Sequence, residues 1–174
     1  MSKALSIDAV NEMDRAAFVS HFGGVYENSP WVADVAWDAR PFTDRAVLGD
    51  VLMRVVLGAD RQRQLDLLRQ HPRLGTRRKL IGHSKSEQAG AGILAAGQAE
   101  RDELDRLNRD YESKFEFPFI LAVRDATLST ILASFRARIG NTARVEFDES
   151  LRQVFRIAHF RLADLVTDGD RPPR

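Results

Sequence analysis

Apolar positions along the chain recur at helical spacing, and Gly, Pro and short polar residues cut them into segments. Asp14 is placed to cap a short helix whose Phe18, Val19 and Phe22 share a face, with Gly23-Gly24 as its stop. Ser29 before Pro30 reads as an N-cap with proline at the first helical position, and Trp31, Val35 and Trp37 then point inward until Pro41. A helix from Thr43 carries the broad stripe Val47, Leu48, Val51, Leu52, Val55 and Val56 and ends near Gly58. Asp60 caps the next, which buries Leu65, Leu67 and Leu68. It ends near Gln70, because Pro72 disfavours helical geometry at His71. Residues 72–83 lack periodicity and read as an irregular connection tethered by Leu74, Leu80 and Ile81. Ser84-Lys85-Ser86-Glu87 has the capping-box pattern and opens a helix of small residues. Leu104, Leu107, Tyr111 and Phe115 mark a helix that stops before Pro118, and Phe119–Val123 suits either an extended segment or a buried helix start. Leu128, Ile131, Leu132, Phe135 and Ile139 make a further helix, closed by Gly140-Asn141. The last runs from Thr142 to Val166 with Val145, Leu151, Val154, Phe155, Ala158, Leu162 and Leu165 inward.

About eight helices without alternating strands make the expected fold all-α, a bundle. The length of 174 residues suits one domain over 1–174, with a core at about 7–166 and a flexible tail at 167–174. Apolar residues at 44% and charged residues at 29% allow a buried core, and 26 basic against 25 acidic side chains give no general reason to expect a nucleic-acid partner. The absence of cysteine excludes disulfides, thiolate metal sites and cysteine nucleophiles, and suits a reducing cytoplasm. The N-terminal apolar stretch is too short and too charged for a secretory signal, and no run approaches the roughly 20 apolar residues of a membrane span.

Phosphate-binding glycine loops, dinucleotide fingerprints, His-Glu-x-x-His and Gly-x-Ser-x-Gly are all missing. His71-Pro72 offers an imidazole at a helix end on a stiffened backbone, able to exchange protons near neutrality; a histidine favoured there by the helix dipole is the alternative. Ser84, Glu87 and Gln88 suit a helix cap, yet the same turn presents free N–H groups and an amide to a polar ring. His83 and Glu87, four apart, are a weak metal pair, and a metal-dependent hydrolase follows from them as a third reading. His21 and His159 read as half-buried packing residues. Arg73, Arg77, Arg78 and Lys79 form a basic loop, either solvated or steering an anion. A helical regulator binding through that loop is the rival to an enzyme. Arg161, in an apolar-rich run, calls for a fixed anionic partner, either a ligand or a structural ion pair.

Five blocks together, Gly23-Gly-Val-Tyr-Glu-Asn-Ser-Pro-Trp31 with Arg40-Pro-Phe42, His71-Pro-Arg-Leu-Gly75, Ser84-Lys-Ser-Glu-Gln-Ala-Gly-Ala-Gly92, Phe117-Pro-Phe-Ile-Leu-Ala-Val123 and Arg156-Ile-Ala-His-Phe-Arg-Leu162, resemble the 2-oxo-4-hydroxy-4-carboxy-5-ureidoimidazoline (OHCU) decarboxylase family. The resemblance runs from about residue 7 to 166 with the blocks in the family's order. It implies an all-α decarboxylase without cofactor, usually a homodimer, acting on OHCU to give (S)-allantoin in the conversion of urate to allantoin. It further implies that His71 is catalytic, and Glu87 is expected to orient or polarise the substrate ring, as catalyst, helix cap or both. Pro72, Ser84, Lys85, Ser86, Glu87 and Gln88 would line the pocket with Phe119, Ile120, Leu121, Ala122 and Val123, and Arg161 would match the family's Arg-Leu motif. Glu116 departs from the glycine that many members carry before the Phe-Pro step, which bears on the local turn.

Overall fold

The computed structural model describes residues 4–75, 96–124 and 126–167. They form eight α-helices: α1 (Ile7–Asn11), α2 (Arg15–Phe22), α3 (Trp31–Ala36), α4 (Arg45–Gly58), α5 (Arg61–Arg69), α6 (Gln98–Phe115), α7 (Leu128–Arg138) and α8 (Ala143–Leu165), with a 3₁₀ turn at Trp37–Ala39. Among the described residues the only β pairing is an isolated parallel bridge between Leu5 and Val166, so the all-α expectation holds. Thr167, at the start of the expected tail, is tied by its N–H to Leu5 O at 2.9 Å. The chain divides into two compact units, residues 1–67 with 155–174 and residues 68–154.

Helix starts follow short polar caps. Asp14 accepts from Ala17 N–H at 2.8 Å, and Asp60 accepts from Arg63 N–H at 2.8 Å, both as the sequence predicts. Helix α4 is capped by Asp44 rather than opened at Thr43, and Ser6 caps the additional short helix α1. Ser29 does not cap α3. It is buried and its hydroxyl donates to Glu27 O at 3.0 Å, which locks the turn preceding the helix.

In the first unit α3 packs on α2 and α4, and Phe18, Phe22 and Phe42 cluster, with ring centroids 4.7 Å and 6.0 Å from Phe18. Leu48, Leu52 and Val56 supply the buried stripe of α4, with Val47, Val51 and Val55 at its margins. Arg40 stacks on Trp37 with 3.8 Å from Cζ to the ring centroid and donates to Asn11 O at 3.0 Å, while Asn11 brackets Phe42 through both its N–H and carbonyl. The Arg40-Pro-Phe42 block is therefore a packing device. Val35, expected inward, is 47% exposed, because Val32, Ala33 and Ala36 already fill the contact face of a helix of six residues.

In the second unit Tyr111 is surrounded by Phe115, Phe117, Phe119 and Phe135 at centroid distances of 4.6, 5.9, 5.2 and 5.6 Å. Helix α8 begins at Ala143 as expected, yet Val145 is 49% exposed. The inward face of its first turns is set instead by Glu146, Phe147, Ser150 and Leu151, all buried.

Candidate functional site

His71 follows α5 directly. Its N–H bonds Leu68 O at 3.2 Å, and the residue is 7% exposed. The chain on both sides of it is fastened to α6 and its C-cap at three places. Arg69 Nε donates to Glu116 O at 3.0 Å, Arg73 makes a bidentate pair with Glu112, and Asn108 Nδ2 donates to Leu74 O at 2.9 Å. Gly75, with φ of 82°, closes the segment in a conformation that glycine alone adopts readily. Arg73 is thus held by an ion pair, and its bond to Glu112 raises the guanidinium above its ordinary value.

Glu116 ends α6 in the left-handed region, φ 65° and ψ 16°, with its N–H on Glu112 O at 2.9 Å. The left-handed turn that glycine would favour is therefore kept with a glutamate in it, and the departure noted in the sequence costs strain rather than shape. This turn delivers Phe117 and Pro118 to the wall of a cleft of about 390 Å³, whose other sides are His71, the two arginines and Glu112 with Glu116. The imidazole thus sits among balanced charges and one apolar wall.

Phe119–Val123 belongs to the same unit and is neither helix nor strand; Phe119, Ile120, Ala122 and Val123 are buried and Leu121 is half-buried. Its backbone is bonded by Arg138 and Gln153, side chains that the sequence reading did not single out. A cation at a helix C-terminus is ordinary, so nothing local marks Arg138. The signal that could have found it is a carboxylate, Glu146, eight positions on at the start of the next helix.

Arg161 lies in the other unit and is 2% exposed. Its Nη2 donates to Glu27 Oε2 at 2.9 Å, and its Nη1 to the carbonyls of Gly24 and Val25, each at 3.3 Å. The anionic partner that the apolar surroundings demanded is thus Glu27, from the Gly23–Trp31 block, and two of the recognised blocks meet through this pair. Glu27 was another unmarked residue. His21 is half-buried against the Phe22 ring at 4.8 Å, as expected, whereas His159 is exposed. Ser84, Lys85, Ser86, Glu87 and Gln88, together with Arg77, Arg78, Lys79 and His83, lie outside the described residues.

Comparison with known proteins matches the OHCU decarboxylase family over residues 11–163. The 2-oxo-4-hydroxy-4-carboxy-5-ureidoimidazoline decarboxylase of Haloferax volcanii is 39% identical over 160 residues, covering 92% of this chain and 95% of that protein. The enzyme of that name from Bos taurus is 33% identical over 172 residues, covering 97% of this chain and 100% of that one. A uric acid degradation bifunctional protein of Bacillus subtilis is 38% identical over 163 residues, of which this chain, matched over 94% of its length, spans 33%. Among solved structures, an (S)-allantoin synthase superposes with a TM-score of 0.74 at 28% identity, covering 93% of this chain and 54% of that one. An OHCU decarboxylase crystallised in the presence of (S)-allantoin shares the fold, with a TM-score of 0.69 at 21% identity over 83% of this chain and 96% of that one. A family match spanning nearly the whole sequence, joined to relatives aligned end to end, means that this chain belongs to the OHCU decarboxylase family.

Proposed function

We propose that the chain decarboxylates OHCU to (S)-allantoin in urate degradation, with His71 as the acid–base residue. The observation that carries this reading is the setting of His71: a mostly buried imidazole on a fastened turn, facing a cleft of about 390 Å³, in a member of this family. A cleft of that size suits one small heterocycle.

The substrate supplies its own electron sink, so no cofactor is required. As the bond to the carboxylate breaks, its electron pair moves into the ring and the neighbouring imine nitrogen takes a proton. The carbon that lost carbon dioxide then becomes a carbonyl as its hydroxyl gives up a proton, and the adjacent carbon gains one. Delivery of that last proton to a single face produces the S enantiomer. His71 either takes the hydroxyl proton or delivers the one to carbon, both of them tasks an imidazole can perform as acid or base. Glu87 orients or polarises the ring, and Ser84, Lys85, Ser86 and Gln88 read its ureido and carbonyl edges. Pro72 and Phe119–Val123, which are not among the residues lining that cleft, are the further substrate contacts that the family resemblance assigns. Arg161 enters the proposal only through the family's Arg-Leu motif, as a clamp for the carboxylate or for a carbonyl that gains charge, a role it would fill while held by Glu27.

One OHCU decarboxylase-like domain, acting in the cytoplasm as a homodimer, completes the reading. No described helix is long and apolar enough to cross a membrane. The activity is tested by generating OHCU in situ with urate oxidase and hydroxyisourate hydrolase and following optical rotation. Faster appearance of allantoin with the rotation of the S enantiomer than in the enzyme-free control supports the proposal, and a racemic product at the spontaneous rate, or an excess of the opposite enantiomer, refutes it. Sedimentation velocity at micromolar concentration decides the dimer.

A further inference from the structure

Phe119–Val123 has no helix or sheet to satisfy its backbone, yet four of its five residues are buried, so its polar groups need partners from elsewhere. Val123 O accepts from Ala126 N–H at 3.0 Å, and two side chains serve Ile120 O and Ala122 N–H. Arg138 Nη1 donates to Ile120 O at 2.7 Å, and Gln153 Oε1 accepts from Ala122 N–H at 3.1 Å. Both are themselves held. Arg138 donates through Nε to Glu146 Oε1 at 2.9 Å and lies over the Phe119 ring with 4.4 Å from Cζ to the centroid. Gln153 Nε2 donates to Glu149 Oε1 at 2.7 Å. Glu146 is completely buried and takes further bonds from the Tyr111 hydroxyl and from Asn141 Nδ2, the latter at 2.7 Å. A buried ion pair gains little stability over an apolar filling, because desolvation offsets the attraction; its better-attested use is to select one geometry. In this unit that geometry is the register of a single irregular segment.

We propose that Arg138 and Gln153 are positioning residues, which hold the backbone of Phe119–Val123 from behind and thereby set the surface it offers the ureidoimidazoline ring. The inference rests on the substrate-lining role proposed above for that segment. Lysine at 138 keeps the charge opposite Glu146, but one ammonium lacks the planar fork that reaches Glu146 and Ile120 O together. Methionine at 153 keeps the volume and removes the acceptor for Ala122 N–H.

The test uses Arg138→Lys and Gln153→Met with two readouts. Amide hydrogen exchange followed by NMR reports the segment directly. Protection of the Ala122 amide is expected to fall about tenfold or more in each variant, while the amides of Leu104–Tyr111 in α6 stay within about threefold of the parent. Equal loss in both places overturns the proposal, since it marks a general stability effect. In the coupled assay, kcat/KM is expected to fall about fivefold or more, carried mainly by KM; unchanged kcat/KM, or a fall in kcat at constant KM, overturns it. Gln153→Met carries the test alone should the lysine variant not fold. Absence of turnover in the parent would refute the proposed function, whereas the exchange experiment would still decide whether these side chains hold the segment.

Discussion

An imidazole that lies just past a helix end contributes little to that helix, and this separates chemistry from stability at position 71. His71→Ala is expected to lower turnover by about 10² to 10⁴, the usual contribution of one acid–base group, with far-ultraviolet circular dichroism unchanged. Retention of most activity would remove His71 from the mechanism. At Glu116 the separation runs the other way. A non-glycine residue with φ of 65° carries a penalty of about 1–2 kcal/mol that glycine largely escapes, offset in part by the extra freedom glycine has when unfolded. The side chain returns little, since its nearest cation, Arg69 Nη2, is 3.7 Å away in an exposed pair, and the bond from Arg69 Nε goes to the backbone carbonyl, which any residue keeps. Glu116→Gly should therefore raise stability by about 0.5–1 kcal/mol in urea denaturation. A lower denaturation midpoint would mean that the glutamate side chain does more than its geometry shows.

Helices announced by a polar cap and an apolar stripe were legible, and those depending on buried polar groups were not. Asp14 and Asp60 stand before clear helical spacing, so α2 and α5 could be placed from residue types alone. The core-facing row of α8 includes Glu146, Ser150, Gln153 and Arg161, each buried and each bonded, and a reading that sends polar residues outward rotates that face toward Val145. The site divides along the same line. His71 was visible because a proline follows it, whereas Arg138 and Glu27 were not, because a charged residue reveals nothing of its partner until the fold brings the two together. Gly23, read as a helix stop, has a second duty that no local pattern displays. A Cβ there would lie 2.5 Å from Val19 O and 3.1 Å from Pro30 Cβ, so the turn between α2 and α3 closes only over a bare backbone. Gly23→Ala must push the turn open, at a cost of about 1–3 kcal/mol. Thermal denaturation measures this, and an unchanged midpoint would show that the turn relaxes freely.

Stability of the whole molecule against pH is governed by groups whose proton affinity changes on folding, and near neutrality the described group with a resolved shift is His21. Burial lowers the pKa of its imidazole below 6.5, and its Nε2 is enclosed without a hydrogen-bond partner among the described residues. The folded state therefore binds this proton less readily than the unfolded chain, which takes it up first as the solution is acidified. Stability from this source is fully present above the unfolded value of about 6.5 and is lost as pH falls through the lower folded value. Glu149 acts in a different range. Burial opposes its ionisation, but bonds from Gln153 and Arg152 and the charge of Arg138 outweigh that effect and hold its carboxyl below 4.5, so its contribution is lost only under more acidic conditions. A decline in stability between pH 7.5 and 5.5, at about the ordinary titration range of histidine, thus separates the imidazole from the carboxylates. His21→Phe keeps an aromatic ring against Phe22, now 4.8 Å from the imidazole, and removes the titrating group. The variant should lose less stability than the parent across that interval in urea melts. Equal losses in the two proteins would assign the pH dependence elsewhere and leave His21 a packing residue with no part in it.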